Sequence, residues 1–227
     1  MQTSSLSDPR VEKFENLIRG PSFPCVGAKS ALATGNMEFV LARDLTSAWN
    51  DLKIHEALMA WAKRDLSADQ LRSLVVIFDG PTDLDEKQFE QAMWERLQSM
   101  SDKDAWLAQK PDPSVSSNPA EPDFSLSFGG RAFFVVGLHP NASRPARRFP
   151  KPSLVFNLHE QFEWLRESGV YERMRERILQ RDKSLAGDLN PMLARHGETS
   201  EARQYSGREV EADWACPFRR GQVQTWP

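Results

Sequence analysis

A chain of 227 residues, 40% apolar and 27% charged, carries enough apolar material for one sizeable core and is neither disordered nor fibrous in composition. Its 29 basic and 32 acidic residues leave a net charge of -3, so no global positive field exists to gather nucleic-acid phosphates. No apolar run reaches the roughly 18 residues that span a bilayer, and the start, Met1-Gln-Thr-Ser-Ser-Leu-Ser-Asp8, lacks a basic-then-apolar leader, so the expectation is a cytoplasmic protein without membrane or nucleic-acid partners.

In chain order, Val11, Phe14 and Ile18 at helical spacing predict a helix over residues 8–19, stopped by Gly20-Pro21. Met37-Glu-Phe-Val-Leu41 suits a strand. Ile54, Leu58 and Trp61 share one face of a helix over residues 47–64, and Ser67-x-x-Gln70 reads as the cap of a further short helix. Ser73-Leu-Val-Val-Ile-Phe78 is a continuous apolar run, the pattern of a strand buried on both faces, ended by the turn Asp79-Gly80-Pro81. Thr82-x-x-Asp85 resembles a capping box ahead of a helix bearing Phe89, Met93, Leu97 and Met100.

Residues 110–123 hold four prolines and read as an exposed loop. Phe124-Ser-Leu-Ser-Phe128, Gly129-Gly130 and Arg131-Ala-Phe-Phe-Val-Val136 form a hairpin signature. Ser153-Leu-Val-Phe156 is a short apolar run, after which Leu158, Phe162 and Leu165 start a helical stripe that Tyr171, Met174, Ile178 and Leu185 continue, with Gly169 as a break. Beyond Gly187 the pattern is irregular. The expected fold is a single α+β domain with a mixed or antiparallel sheet, carrying a hairpin near residues 124–138 and packed by several helices.

Chemistry-bearing residues concentrate between Phe133 and Arg166. Gly137-Leu-His-Pro140 sets an imidazole where an apolar strand exits into a loop, a rigid support for a functional side chain. His139 is the first candidate ligand: a neutral imidazole nitrogen binds haem iron, and Phe133, Phe134, Val135 and Val136 offer an apolar wall for a porphyrin. The alternative is a strand-end histidine bonded to loop carbonyls. His159, in Phe156-Asn-Leu-His-Glu-Gln-Phe162, is the second candidate, either as the iron ligand or as the distal group; its alternative is an ordinary first-turn helix residue.

Between them, Ser143-Arg-Pro-Ala-Arg-Arg-Phe-Pro-Lys151 holds four positive charges, of which Arg147 and Arg148 suit haem propionates, against the plainer reading of a solvated basic loop. Cys216 is a thiolate alternative for the iron, against a buried free thiol beside Trp214, and Cys25 is discounted in the same way. In a reducing compartment the two cysteines are not expected to pair, and no C-x-x-C motif exists for a zinc ribbon or thioredoxin site. A non-haem metal site built from His139, His159, Glu160 or Glu163 is the rival redox arrangement. His55 and His196, in charged surroundings, are expected at the surface. Gly-x-Gly-x-x-Gly and P-loop motifs are missing, which leaves dinucleotide and P-loop chemistry unsupported.

Phe23-Pro-Cys25, the block from Phe133 through Gly137-Leu-His-Pro140 to Arg147-Arg-Phe149, Val155-Phe-Asn-x-His-x-Gln-Phe162, Asn190-Pro-Met-Leu193 and Trp214-x-Cys-Pro-Phe218 together resemble the YqcI/YcgG family, over nearly the whole chain. Members of that family are similar to haem-dependent N-oxygenases, among them the N-hydroxylase of guanitoxin biosynthesis and an arginine hydroxylase of the cycloserine pathway. The resemblance implies haem b with its iron on His139 or, in the alternative, His159, dioxygen as oxidant and an external electron donor. The implied substrate is a small guanidine-containing molecule such as arginine or a cyclic arginine derivative, for which Glu160, Glu163, Glu38 and Asp79 are the available carboxylates. A homodimer is compatible with this reading, and a haem sensor or carrier without turnover is the other reading.

Overall fold

The protein is described here by a computed structural model covering residues 8–64, 70–192 and 198–221. Five strands form one mixed sheet: β1 (Met37–Asp44), β2 (Ser73–Gly80), β3 (Leu126–Phe128), β4 (Arg131–Leu138) and β5 (Ser153–Leu158), in the spatial order β1-β2-β5-β4-β3. β1 and β2 run parallel, joined through the helix α3 (Asp51–Ala62), and every other pairing is antiparallel. The continuous apolar run of β2 follows from its place: it lies between β1 and β5 with both faces covered, and Leu74 through Phe78 are at most 3% exposed. β3 and β4 are joined by Gly129 and Gly130 at φ +60° and +80°, the left-handed pair that a two-residue hairpin demands.

The sheet separates two apolar layers, and the period-two alternation along each strand deals residues to one or the other. Leu74, Val76, Phe78, Phe133, Val135 and Phe156 enter the larger inner core with α3, the long helix α4 (Glu86–Trp106) and the short α7 (Ala202–Tyr205). Val75, Ile77 and Leu138 enter the smaller outer layer, where Phe14 and Ile18 of α1 (Pro9–Arg19) and Phe23 pack on them. That layer is completed by α2 (Val26–Ala33) and α6 (Tyr171–Ala186), while α5 (His159–Glu167) follows directly on β5. The α+β domain with a mixed sheet is thus as expected.

Local differences have physical causes. The helix bearing Phe89, Met93, Leu97 and Met100 does not begin at Thr82. Its N-cap is Asp85, whose side chain accepts from the Gln88 backbone while the Gln88 side chain accepts from the Asp85 N–H. Leu158 is the last residue of β5 rather than the first of a helical stripe, and the stripe is split at Gly169 into α5 and α6. The Pro-rich segment is pinned to the sheet by Asp112, whose carboxylate accepts from the backbone N–H groups of Ser114 and Ala132. The cap expected at Ser67 lies outside the described residues. None of the described helices is long and apolar enough to cross a membrane.

Candidate functional site

His139 leaves the end of β4 as expected, but its ring is enclosed. It is 2% exposed, stacked on Phe89 with ring centres 4.3 Å apart, and its backbone is tied to Arg147 and Phe149. Burial holds its pKa below the ordinary imidazole value, so the ring is neutral near pH 7. Its Nδ1 finds no hydrogen-bond partner among the described residues. The wall expected beside it is already used: Phe133 stacks on Trp61 at 6.0 Å and packs edge-on to Phe156, and both Phe133 and Val135 have no exposed surface.

His159 opens α5, 5% exposed, with Nδ1 3.6 Å from Glu163 and Nε2 3.9 Å from Glu201. It cannot share an iron with His139. β4 and β5 are antiparallel, with Phe133 opposite Leu158 and Leu138 opposite Ser153, so the two histidines sit at opposite ends of the pair. At about 3.4 Å per residue they are roughly 20 Å apart. Nor is a non-haem site formed: among the described residues no three His, Cys, Asp or Glu are grouped to hold a metal ion.

The other candidates are also engaged. Arg148 donates to the carbonyls of Ala142 and Ser143. Glu160 pairs with Arg72 and Arg131, Glu163 with Arg166, Glu38 with Arg64, and Asp79 with Arg10. Cys216 is a free, half-buried thiol against the inner core, where burial pushes its pKa up to about 12, a poor start for thiolate ligation. His55 corrects the surface expectation: it is 1% exposed, its Nε2 3.2 Å from the buried Asp104 carboxylate. His196 lies outside the described residues.

What the fold assembles instead is a cavity of about 180 Å³ on the outer face of the sheet, under α1, α2 and α6. Apolar side chains, among them Phe14, Ile18, Val136, Val155 and Ile178, form most of its wall. A small set of polar residues also lines it: Cys25, Ser73, Arg144, Arg147, Asn157, Asp182 and Asn190. Larger concavities along α4 and between α2 and α6 are open grooves over charged surface side chains. An apolar hollow with a few convergent polar groups is the usual form of a small-molecule site.

Each polar group has a local reason to be there. Cys25 is the N-cap of α2, its Sγ accepting from the Ala28 N–H at 3.4 Å, and burial raises its thiol pKa against the weaker pull of that bond and of Arg147. Arg144 donates to Asp182 at 2.5 Å and also pairs with Asp188. Arg147 is drawn inward by main-chain acceptors: Nη1 donates to Gly137 and Tyr205, Nη2 to Gln204, and burial lowers its pKa to about 10, leaving it charged at neutral pH. Gly207, at φ +84°, makes room for it, since a Cβ there would lie 3.0 Å from the Arg147 stem. Asn157 accepts from the Ser73 hydroxyl at 2.7 Å.

Of the candidate ligands and propionate partners read from sequence, Arg147 reaches this cavity, together with Val136 of the expected apolar wall and the discounted Cys25, whereas His139, His159, Arg148 and Cys216 do not line it. Cys25, Arg144, Asn157 and Asn190 were legible as members of the blocks that carry the family resemblance, although not as a cluster. Asp182 belongs to no block, and nothing in its helical context marks it.

Haem does not fit these residues as they stand. Neither His139 nor His159 lines the cavity, the propionate candidates Arg147 and Arg148 already donate to main-chain carbonyls, and about 180 Å³ falls short of the roughly 300–1,000 Å³ of sites for drug-sized ligands.

The family model described as the YqcI/YcgG family matches residues 14–219. The uncharacterized protein YcgG of Bacillus subtilis (strain 168) is 26% identical over 209 residues, which cover 87% of this chain and 81% of that protein. No solved structure matches the chain.

Proposed function

The chain belongs to the YqcI/YcgG family, and on that premise we propose that it is an enzyme acting on a small guanidine-containing molecule in the cavity on the outer face of the sheet. One observation carries the reading. Four of the five separated sequence blocks, represented by Cys25, Arg147, Asn157 and Asn190, converge on that one cavity, although they span 166 positions of chain from Cys25 to Asn190 by their numbering. Only the block around Cys216 packs elsewhere, against the inner core. Asp182 is the cavity's carboxylate for a guanidinium; it holds Arg144, and a carboxylate accepts more than one such bond.

N-oxygenation is the reaction that the resemblance implies, with haem, dioxygen and an electron donor supplying the oxidising power. The cavity as it stands is too small for a porphyrin, so haem would have to be held by other residues. The test is an absorption spectrum of the purified, haem-supplemented protein before and after dithionite and carbon monoxide, together with mass analysis of guanidines incubated with reductant. A guanidine product heavier by one oxygen together with a Soret band that moves would support haem N-oxygenation, with the haem held by residues other than those of the cavity as it stands. No Soret band removes haem N-oxygenation, and a Soret band with unchanged guanidines supports a haem carrier or sensor.

A further inference from the structure

We propose that the groove along α4 is a dimerisation surface whose occupant is α4 of a second copy of this chain, packed antiparallel across a two-fold axis. This surface is separate from the ligand cavity, because α4 covers the inner face of the sheet and the cavity lies on the outer one.

Eleven of the 21 residues of α4 are buried, which leaves only a narrow stripe open. Lys87, Gln91, Glu95, Asp102 and Trp106 are exposed along it, with the half-buried Gln98 between them. Successive members are three or four positions apart, so they form one line on the helix. The segment 214–217 runs beside this line, placed by Trp214 at 6.4 Å from Trp94 and by the exchange of hydrogen bonds between Gln98 and the Arg219 backbone. Helix and segment bound a groove of about 1150 Å³. Trp106, 60% exposed, and the exposed Ala215 and Pro217 give it an apolar lining within a polar rim, the form of an association surface.

The charges of the groove point to a second copy. Lys87, Arg96 and Lys103 stand against Glu90, Glu95 and Asp102, so the surface as a whole attracts neither an acidic nor a basic partner. It is complementary to itself. An antiparallel register centred between Trp94 and Glu95 sets Lys87 opposite Asp102 of the second copy, Gln91 opposite Gln98 and Lys103 opposite Glu86. Each pair then occurs twice, as a two-fold contact between identical patches requires. A shift of one position in one direction opposes Glu95 to Glu95 and Lys87 to Lys103, and in the other Glu86 to Asp102, so charge selects the register. Both members of the outer pair are within reach of a partner: Lys87 meets only the exposed Glu211, at 3.7 Å, and Asp102 accepts from the Gln98 amide. From Lys87 to Trp106 the stripe is about 29 Å long. Across two helix widths of about 10 Å it offers roughly 600 Å² per copy, the lower end of specific interfaces and the size of a reversible dimer.

The experiment is sedimentation velocity of the full chain from about 1 to 200 µM, a range that brackets a reversible dimer. A concentration-dependent dimer is expected. Lys87→Asp and Asp102→Lys, both at exposed positions, each raise its dissociation constant about tenfold, and the double variant Lys87→Asp/Asp102→Lys returns it to within about threefold of the parent. A chain that stays monomeric at the highest concentration overturns the dimer, as does a dimer indifferent to both single variants or one that the double variant fails to restore. Trp106 reports the occupant, because the iodide quenching that is lost in Trp106→Phe measures its exposure. That exposure is expected to fall as the dimer forms. Trp106 shielded in a monomer assigns the groove to residues 222–227 of the same chain, and Trp106 open in a monomer leaves it to a different protein; either result overturns the second copy as occupant.

Discussion

The two faces of one sheet are built to different standards. On the inner face Phe128, Phe133 and Phe156 contact one another with ring centres 5.9 to 6.4 Å apart, Trp61 stacks on Phe133, and none of these four side chains is more than 2% exposed. On the outer face the alternate residues of the same strands, Val136, Val155 and Asn157, are only half-buried and border a hollow. Large aromatic rings close a layer, whereas β-branched and amide side chains of smaller volume leave space that α1, α2 and α6 do not fill. The inner face therefore carries most of the stability, and the outer face keeps room for a ligand.

The largest effect expected of this comparison comes from the inner face. Phe133→Ala deletes a fully buried ring that touches Trp61, Phe128 and Phe156, and is expected to lose about 3–5 kcal/mol in urea unfolding. A loss below about 1 kcal/mol would mean that the inner core is not the denser one. On the outer face, Val155→Phe grows into the existing hollow and is expected to change stability by no more than about 1.5 kcal/mol while abolishing the protection of Cys25 from a thiol reagent by an added guanidine. Retained protection in a folded Val155→Phe protein would place the ligand elsewhere.

The smallest effect is a slope with pH. Burial lowers the His139 pKa below its ordinary 6.5, so below that pH the unfolded chain takes up a proton that the folded one resists. The contribution of neutral His139 is full above 6.5 and is lost as pH falls through the lowered folded value. Urea midpoints measured downward from pH 7 should fall less steeply in His139→Gln than in the parent. Equal slopes would show that His139 is solvated.

The α+β class, the buried β2 run, the Gly129-Gly130 hairpin and the α4 stripe were all legible because they depend on neighbours in sequence: periodicity, turn residues and caps. Helix starts were less so. Thr82 and Asp85 both offer an N-cap side chain, and only the Gln88 exchange decides for Asp85.

The site was legible in its parts and not as a whole. The resemblance blocks contain Cys25, Arg144, Arg147, Asn157 and Asn190, but the histidines are the more conspicuous ligand types in the same blocks, and sequence distance is silent on which end of an antiparallel pair each one occupies. His55 shows the same blindness: charged neighbours along the chain suggested solvent, while Asp104, 49 positions away, takes it into the interior.

By itself, then, the sequence determined the elements, the family and the small set of residue types available for chemistry, because local propensity and apolar pattern act over a few residues. Only the tertiary structure decided that the histidines stand apart, that Arg147 turns inward to the carbonyls of Gly137, Gln204 and Tyr205, and that Asp182 of α6 and Cys25, the N-cap of α2, line one hollow. Those juxtapositions depend on strand order and on how three helices fill one face of a sheet, and packing between distant segments is written in no single stretch of the chain.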